Sequence, residues 1–216
     1  MSRREHVGEA IRDSGVVAIV RTQDASRVAL AAQALARGGV TVLEITMSVP
    51  GAVDLIASLS RTLPEDVLLG AGTVLDVATA ERVLDAGATF VVSPIFSPDL
   101  IVACQRRDAA VLPGCFSPTE IFGAHAAGAD LIKVFPATAL GPKYVRDLLA
   151  PLPDLRLVPT GGVSLENARE WLAAGAVALG IGSGLLGPAL LAEGNYDAIS
   201  ERAGRLIAAV KQARGR

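Results

Sequence analysis

The sequence predicts an α/β protein that folds as a (β/α)8 TIM barrel with an extra N-terminal helix. Apolar runs rich in Val and Ile occur eight times, and each is followed by a segment of helical pattern, which is the order of a parallel sheet with crossover helices. Glycines recur before every second run, where helices should end. The chain has 216 residues, slightly short of the ~250 typical of such barrels, so we expect one domain over residues 1–216.

The extra helix comes first and the strands follow it. An amphipathic segment, Arg3–Asp13, precedes the first strand, and we expect it to cover the bottom of the barrel. Small and β-branched residues suit parallel strands that are covered by helices on every side. In chain order the predicted strands are Val16–Val20, Val40–Thr46, Val67–Gly70, Thr89–Ser93, Ala110–Pro113, Asp130–Phe135, Leu155–Thr160 and Val177–Ile181.

The glycines between these elements form an internal repeat. Gly38, Gly87, Gly128 and Gly175 precede the second, fourth, sixth and eighth strands, at intervals of 41 to 49 residues. We interpret the repeat as four βαβα quarters of a barrel, although any α/β protein places glycine at helix ends. An open doubly wound sheet is the main alternative. It requires a glycine-rich turn after the first strand, where this chain has Arg21-Thr22-Gln23-Asp24.

The composition argues against several classes of protein. Hydrophobic residues make up 51% and charged residues 19% of the chain, which permits a large core and argues against disorder. A net charge of −2 argues against nucleic acid or a membrane surface as the main partner. The two cysteines support no disulfide framework, and no apolar run approaches the ~18 residues of a membrane span. We therefore expect a cytoplasmic protein.

Lys133 is the strongest candidate for chemistry. The chain has three lysines against seventeen arginines, and Lys133 lies inside the apolar sixth strand. Burial disfavours the ammonium and lowers a lysine pKa from about 10.4 toward roughly 7–8. The neutral amine can attack a ketone and form a Schiff base. The alternative is a lysine that reaches solvent at a strand end, or one that forms a structural ion pair.

Glu44 interrupts the apolar second strand at the corresponding end. Because barrel active sites are built at the C-terminal ends of the strands, we expect its carboxylate to lie near Lys133. There it could transfer protons while a carbon–carbon bond is broken or made. Its alternative role is a salt bridge to an arginine or lysine in the lumen.

Glycine-rich turns follow the last two strands. Gly161 and Gly162 follow the seventh strand, and Gly182 and Ser183 follow the eighth. Backbone N–H groups in such turns can approach an anion, and a helix N-terminus adds partial positive charge. Barrels commonly bind phosphate at this place. We therefore predict a phosphate site, against the alternative of plain tight turns.

Other side chains are expected around the same end of the barrel. Thr73 could hydrogen-bond a carboxylate or keto group, or it could cap the following helix. Arg21 could hold a carboxylate, or it could be an ordinary surface arginine. Pro94 and Phe135 could form apolar walls that help to keep the lysine neutral.

Metal chemistry is poorly supported. His6 and His125 are the only histidines, and both lie in helical segments away from the predicted strand ends. A zinc-dependent aldolase needs several ligands that converge on one site. We therefore expect no metal and no cofactor.

Segments from about Val16 to Leu186 together resemble the 2-dehydro-3-deoxy-phosphogluconate (KDPG) and 4-hydroxy-2-oxoglutarate (KHG) aldolase family. They occur in the family's order, and together they are far more specific than any one alone. The segments are Val42-Leu43-Glu44-Ile45-Thr46, Gly70-Ala71-Gly72-Thr73-Val74, Phe90-Val91-Val92-Ser93-Pro94, Leu112-Pro113-Gly114, Ser117-Pro118-Thr119-Glu120, Leu131-Ile132-Lys133-Val134-Phe135-Pro136, Gly141-Pro142 and Val158-Pro159-Thr160-Gly161-Gly162-Val163.

The resemblance implies a class I aldolase that cleaves 2-dehydro-3-deoxy-6-phospho-D-gluconate to pyruvate and D-glyceraldehyde 3-phosphate. Lys133 matches the family's Schiff-base lysine, and Glu44 matches its general acid/base. The family is typically homotrimeric and acts in the Entner–Doudoroff pathway. Its pyruvate pocket matches Thr73, Pro94 and Phe135, and its phosphate site matches Gly162 and Ser183.

One position departs from the family pattern. Ser48 stands where some members carry an arginine that holds the substrate carboxylate. Other members share this form and carry an arginine after the first strand, as Arg21 does here. We therefore hypothesise that Arg21 binds the carboxylate. Relatives that act on the galactonate epimer tend to carry valine at the position of Thr160, so its hydroxyl favours the gluconate configuration.

Several alternative functions stay open. The same chemistry could act on KHG or on 2-dehydro-3-deoxy-6-phosphogalactonate. A phosphosugar isomerase or epimerase on this barrel would keep the phosphate turns but would need no neutral lysine. A barrel that binds phosphorylated ligands without catalysis is the third possibility.

Overall fold

The apolar runs form the strands of a barrel, and the segments between them form the surrounding helices. The computed structural model describes residues 1–215. Its strands are β1 (Val16–Val20), β2 (Val42–Thr46), β3 (Leu68–Gly72), β4 (Phe90–Val92), β5 (Ala110–Leu112), β6 (Gly114–Cys115), β7 (Ile132–Val134), β8 (Leu157–Pro159) and β9 (Leu179–Ile181).

The helices alternate with the strands after an initial helix. Several helices begin at a side-chain N-cap. Asp76, Ser97 and Ser117 each accept a hydrogen bond from a backbone N–H of the first turn of the helix that follows. In the part of the chain described, no helix is both long and apolar enough to cross a membrane. The helices are α1 (Arg3–Ser14), α2 (Val28–Arg37), α3 (Ala52–Thr62), α4 (Val77–Asp85), α5 (Pro98–Arg106), α6 (Pro118–Ala126), α7 (Gly141–Leu149), α8 (Ala168–Ala173), α9 (Ser183–Leu186), α10 (Pro188–Glu193) and α11 (Tyr196–Ala213).

All strand pairs are parallel and together they close the barrel. Six strands run in the order β5-β4-β3-β2-β1-β9, and three run in the order β6-β7-β8. A bridge between Thr160 and Gly180 joins β8 to β9, and the chain itself joins β5 to β6 through Pro113. The predicted (β/α)8 barrel is therefore confirmed, with β5 and β6 as two halves of its fifth strand.

Pro113 explains why the fifth strand is divided. Proline has no N–H to donate to a neighbouring strand, although its carbonyl still accepts a hydrogen bond from the backbone of Lys133 at 3.0 Å. The residues before Pro113 pair with β4, and those after it pair with β7. The division thus lies beside the strand that carries the candidate lysine.

Alternate residues of each strand face either the helices or the lumen. The outward residues join one large apolar cluster with the helices. The inward residues form a second cluster, which also contains Val7 and Ile11 of α1. Helix α1 therefore closes the N-terminal end of the barrel, as predicted. The lumen members of the second cluster are Val17, Val42, Phe90, Val92, Ala110, Leu112, Leu131, Val158 and Ala178.

Asp130 fastens α1 to the barrel. Its carboxylate accepts a hydrogen bond from the backbone N–H of Val111 at 3.0 Å and pairs with Arg4 Nε at 3.1 Å. Burial raises the pKa of this carboxyl, while the Val111 N–H and the Arg4 charge oppose the rise. The residue lies at the bottom of the barrel, so its role is in the attachment of α1.

Some predicted strand boundaries differ from those observed. The second strand begins at Val42, because the backbone N–H of Val40 bonds to Leu35 as α2 ends. The third strand extends to Gly72 rather than stopping at Gly70. Phe135 and Thr160 lie just beyond β7 and β8, at the C-terminal end of the barrel.

Candidate active site

Lys133 is buried in the lumen at the middle of the three-residue strand β7. It is 4% exposed, and its backbone pairs with Gly114 of β6 and Val158 of β8. The amine nitrogen lies 4.9 Å from the centre of the Phe135 ring. Burial lowers the pKa of this lysine; the charge of Glu44 opposes the shift and the charge of Arg21 adds to it. The predicted lumen position is therefore observed, and the solvent-reaching alternative is wrong.

Glu44 is the other buried ionisable group of the lumen end. It is 1% exposed, and its Oε1 has no hydrogen-bond partner among the described residues. Burial raises its pKa, while the charges of Lys133 and Arg21 oppose the rise. The charge of each group thus favours the ionised form of the other, whereas burial favours the neutral form of both. Such paired shifts are typical of functional sites.

Gly72 makes room for the Glu44 carboxyl. A side-chain carbon at Gly72 would lie 1.7 Å from Glu44 Oε1, far inside contact distance. Glu44 pairs in register with Gly70 and Thr46 pairs with Gly72, so Gly72 lies one lumen position beyond the Glu44 backbone, where the long side chain carries the carboxyl. Sequence reasoning did not identify this role, although glycines at two successive lumen positions of β3, Gly70 and Gly72, were a usable signal.

Arg21 crosses the top of the barrel from β1 to the end of β3. Its guanidinium donates a hydrogen bond to Thr73 Oγ1 at 3.4 Å. Thr73 has a backbone φ of 60°, a left-handed conformation that is uncommon for a β-branched residue and that often occurs at ligand-binding sites. Arg21 is exposed, so a ligand can reach its remaining donors.

A cavity of about 630 Å³ opens at this end of the barrel. It brings together most of the residues predicted to bind substrate or phosphate. These are Arg21, Phe135, Thr160, Gly161, Gly162, Gly182 and Ser183. Lys133 and Glu44 do not line it. Lys133 lies one lumen position deeper than Phe135, and the Phe135 ring both lines the cavity and lies beside the lysine amine.

Two predicted residues lie outside this cavity. Thr73 lines a separate surface cavity of about 490 Å³ that also includes Ser48. The Pro94 backbone packs against the fifth strand at Gly114. A side-chain carbon added at Gly114 would lie 2.4 Å from the carbonyl carbon of Pro94. Since Gly114 pairs with Lys133, Pro94 lies near the lysine all the same.

Ser48 lies in the turn that follows β2 and bonds back to that strand. Its hydroxyl and that of Thr46 lie 2.8 Å apart, and the Thr46 hydroxyl donates to the carbonyl of Val20 at 3.3 Å. This arrangement holds Ser48 against β1 and β2. The position that carries a carboxylate-binding arginine in some relatives therefore presents a short hydroxyl here.

The turn after β8 is shaped for close approach of the backbone. Gly161 and Gly162 have φ values of 96° and 71°, which glycine adopts without strain. Asn167 braces the turn, since its amide donates to the carbonyl of Gly162 at 2.8 Å and accepts from the N–H of Ser164 at 2.9 Å. Asn167 was not predicted, because its partners become visible only in the folded turn.

The described residues contain no cluster of three or more His, Cys, Asp or Glu side chains arranged to hold a metal ion. The candidate chemistry rests on the buried amine, the buried carboxyl and the cavity above them. A closed parallel barrel with a buried lysine–glutamate pair at the C-terminal strand ends defines a class of protein: a barrel enzyme suited to reactions of carbonyl compounds.

The comparison with known families gives a narrower identity. Residues 7–202 match the family model described as "Aldolase: KDPG and KHG aldolase". The chain belongs to this family and is an aldolase, a lyase.

Relatives and solved structures agree with this assignment. The chain is 37% identical over 193 residues to a 2-dehydro-3-deoxy-phosphogluconate aldolase of Treponema pallidum, covering 89% of this chain and 90% of the relative. It is 39% identical over 160 residues to a probable 2-dehydro-3-deoxy-6-phosphogalactonate aldolase of Rhizobium meliloti, covering 74% and 76%.

Two solved structures have the same fold over most of the chain. A KDPG aldolase of Legionella pneumophila, with pyruvate captured at low pH as a covalent carbinolamine intermediate, has a TM-score of 0.85 at 29% identity, covering 92% of this chain and 97% of that one. A designed cage made by fusing symmetric oligomeric domains has a TM-score of 0.83 at 29% identity, covering 93% and 73%.

Proposed function

We propose that this aldolase cleaves 2-dehydro-3-deoxy-6-phospho-D-gluconate to pyruvate and D-glyceraldehyde 3-phosphate through a Schiff base on Lys133. The observation that carries the proposal is the burial of Lys133 near Glu44 beneath a cavity with glycine-rich turns. The Legionella relative, which holds pyruvate as a carbinolamine, supports an amine nucleophile in this family.

The proposed reaction uses both buried groups. The Lys133 amine adds to the C2 ketone, and loss of water leaves a protonated imine. Glu44 takes the proton of the C4 hydroxyl as the C3–C4 bond breaks; the aldehyde leaves, and the electron pair of that bond forms an enamine. Protonation at C3 and hydrolysis then release pyruvate and restore the amine. The lowered pKa of Lys133 and the raised pKa of Glu44 suit a free nucleophile and a proton carrier.

We assign the substrate carboxylate to Arg21. The guanidinium lines the cavity and bonds to Thr73, and Ser48 is too short to replace it. Phe135 and Pro94 form apolar surface near the amine, and Thr73 supplies a hydroxyl. Replacement of Arg21 by alanine should raise the Michaelis constant for pyruvate in the addition direction, and an unchanged constant would refute this assignment.

The phosphate is assigned to the turns that follow β8 and β9. Gly161, Gly162, Gly182 and Ser183 line one cavity, and backbone N–H groups in such turns bind phosphate well. Thr160, which is buried beside Gly180, lies between this end and the lysine. Its hydroxyl favours the gluconate over the galactonate configuration. The Rhizobium relative, named for the galactonate substrate, makes the other epimer the main competitor.

We further propose that the chain forms a homotrimer. Among the described residues, six of the eight exposed large hydrophobic side chains lie between residues 75 and 122, on the neighbouring units that contain β3, β4 and β5. Contiguous exposed apolar surface marks interaction sites, and the related cage is built from symmetric oligomeric domains. The six residues are Leu75, Val77, Ile95, Val102, Phe116 and Phe122.

The remaining expectations concern location and domain organisation. Cys104 and Cys115 are both free and buried, and burial raises the pKa of each thiol to about 12. Unpaired, unreactive cysteines are typical of a reducing compartment. We therefore propose a cytoplasmic enzyme with one catalytic domain over residues 1–216.

Steady-state cleavage of three substrates tests the proposed specificity. KDPG, its galactonate epimer and KHG are compared by coupling pyruvate release to its reduction. The proposal requires the highest kcat/KM for KDPG and loss of cleavage in Lys133→Met. Lys143→Met, which removes an exposed lysine paired with Asp147, serves as the matched control. A preference for either other substrate would refute the specificity, and a fully active Lys133→Met would refute the mechanism.

A further inference from the structure

The cavity extends beyond the four residues assigned to phosphate. Its outer wall comes from helices α9 and α10, through Leu186, Gly187, Leu191 and Ala192. The loop between β1 and α2 also lines the cavity, through Asp24 and Arg27 among others. These two residues have no part in the chemistry proposed above.

Arg27 connects the two sides of this outer region. Its Nε pairs with Asp24 at 2.7 Å, and one terminal nitrogen donates to the carbonyl of Leu191 at 2.9 Å. Asp24 in turn accepts from the backbone N–H of Ser26 at 3.1 Å, which fixes the loop. One side chain therefore joins the β1–α2 loop to the middle of α10.

Helix α10 needs such a connection because it is short and bounded by glycines. It spans six residues, too few to be stable without tertiary contacts. Gly187 and Gly194 flank it with φ values of 50° and 67°. A side-chain carbon at Gly194 would lie 3.4 Å from Arg27, so the guanidinium packs against the end of the helix as well as against its carbonyl.

The charges of this region favour an anion. Two basic side chains, those of Arg21 and Arg27, line the cavity, and Asp24 is the acidic side chain among its described lining residues. Arg27 is 32% exposed, so ions in the solvent screen part of the effect of its charge on the cavity. The guanidinium therefore links the β1–α2 loop to α10 and also adds positive charge to the cavity lining.

We propose that Arg27 is a positioning residue that gives this enzyme its preference for phosphorylated over unphosphorylated substrates. By holding α10 against the β1–α2 loop, it keeps the outer wall of the cavity in place and adds positive charge to its lining. The proposal rests on the function proposed above. It adds a residue, outside the glycine-rich turns, that affects the phosphate end and leaves the amine chemistry alone.

The test compares a phosphorylated with an unphosphorylated substrate. In Arg27→Ala, kcat/KM for KDPG should fall about tenfold or more, mainly through a higher KM, because a charged hydrogen-bonded link is lost. For KHG, which lacks phosphate, kcat/KM should change less than about twofold. Inorganic phosphate should inhibit the variant more weakly than the wild type, by a factor similar to the loss for KDPG.

Two further variants separate positioning from general damage. Arg107→Ala removes an arginine of similar exposure, 36%, that pairs with Glu81 and Asp85 and lines none of the cavities described above. It should leave the ratio of the two kcat/KM values unchanged. Arg27→Lys keeps the charge but replaces the two donating nitrogens with one, so its ratio should fall between wild type and Arg27→Ala.

Equal losses for both substrates, or an unchanged ratio in Arg27→Ala, would overturn the role of Arg27. Exchange of the C3 protons of pyruvate with deuterium oxide requires only the amine and the carboxyl, so it should persist in every Arg27 variant. If the wild type itself shows no such exchange, the proposed function fails instead. The two failures are therefore distinguishable.

Discussion

At the scale of single residues, the barrel interior controls the protonation of two groups. Lys133 and Glu44 carry opposite charges when ionised, yet they form no ion pair among the described residues, and Glu44 Oε1 is left without a partner. Desolvation is the largest cause of both pKa shifts. Burial therefore favours the neutral form of the amine, and no salt bridge among the described residues holds it in the charged form.

The two charges near Lys133 should shift its titration in opposite directions. Glu44 raises the pKa of the lysine and Arg21 lowers it. Glu44→Gln should therefore move the rising limb of the pH profile for pyruvate imine formation to lower pH. Arg21→Ala should move it to higher pH, and this shift should shrink in high salt because Arg21 is exposed. Cyanoborohydride trapping of labelled pyruvate at a series of pH values measures both, and shifts of the same sign would contradict this account.

Lys133 could be recognised from sequence, and Arg27 could not. A lysine inside an apolar strand is conspicuous because burial of its charge is costly. Arg27 instead lies in an ordinary polar loop, and its partner is a backbone carbonyl 164 residues further along the chain. No local pattern in the sequence predicts such a contact.

At the scale of elements, the glycines of β3 decide where Glu44 can lie. Gly70 makes room for the Phe90 ring, and Gly72 makes room for the Glu44 carboxyl. Strand β3 therefore lacks side chains at the two lumen positions beside these groups. The space exists because one strand is built of small residues.

Gly72→Ala should disable the enzyme without unfolding it. The added carbon would displace the Glu44 carboxyl, and misplacement by about 1 Å can lower a catalytic rate ~100-fold. Gly8→Ala is the matched control, because its added carbon would meet Asp130 at an ordinary 3.6 Å, and alanine in a helix stabilises by about 0.5–1 kcal/mol. Cleavage rates and thermal melting of both variants make the comparison; a fully active Gly72→Ala would refute the role of the glycine.

The strands were easier to predict than their ends. Residues 16 to 20 form β1 as predicted, and the other predicted strands contain the observed ones, with β3 running two residues longer and the fifth continuing past Pro113 as β6. Apolar composition identifies a buried strand, but its ends depend on pairing with neighbours. The division at Pro113 arises because one half pairs with β4 and the other with β7.

At the scale of the whole molecule, one end of the barrel is closed and the other is open. Helix α1 seals the N-terminal end with Val7 and Ile11, while the C-terminal end carries the cavity and the polar lumen residues. The order of strands and helices was sufficient to predict this asymmetry, because barrel sites lie at the C-terminal strand ends. The size and shape of the cavity could not be predicted, since they depend on α9 and α10.

The proposed homotrimer should depend on the exposed apolar side chains between residues 75 and 122. Phe122 is 51% exposed and Ile95 48%, and burial of such side chains drives association. Sedimentation equilibrium should give three times the 22.1 kDa mass of the chain for the wild type. The double variant Ile95→Ser, Phe122→Ser should sediment as single chains, whereas Leu30→Ser, on the distant α2 and 48% exposed, should remain trimeric. A wild type of single-chain mass would contradict the proposal.

Reduction with borohydride in the presence of pyruvate tests the central claim most directly. The reagent converts an imine into a stable secondary amine, and peptide mapping by mass spectrometry identifies the modified lysine. We predict one carboxyethyl group per chain, located on Lys133, with Lys143 and Lys211 unmodified. Folded enzyme that cleaves KDPG but carries no adduct on Lys133, or carries it on another lysine, would contradict the account.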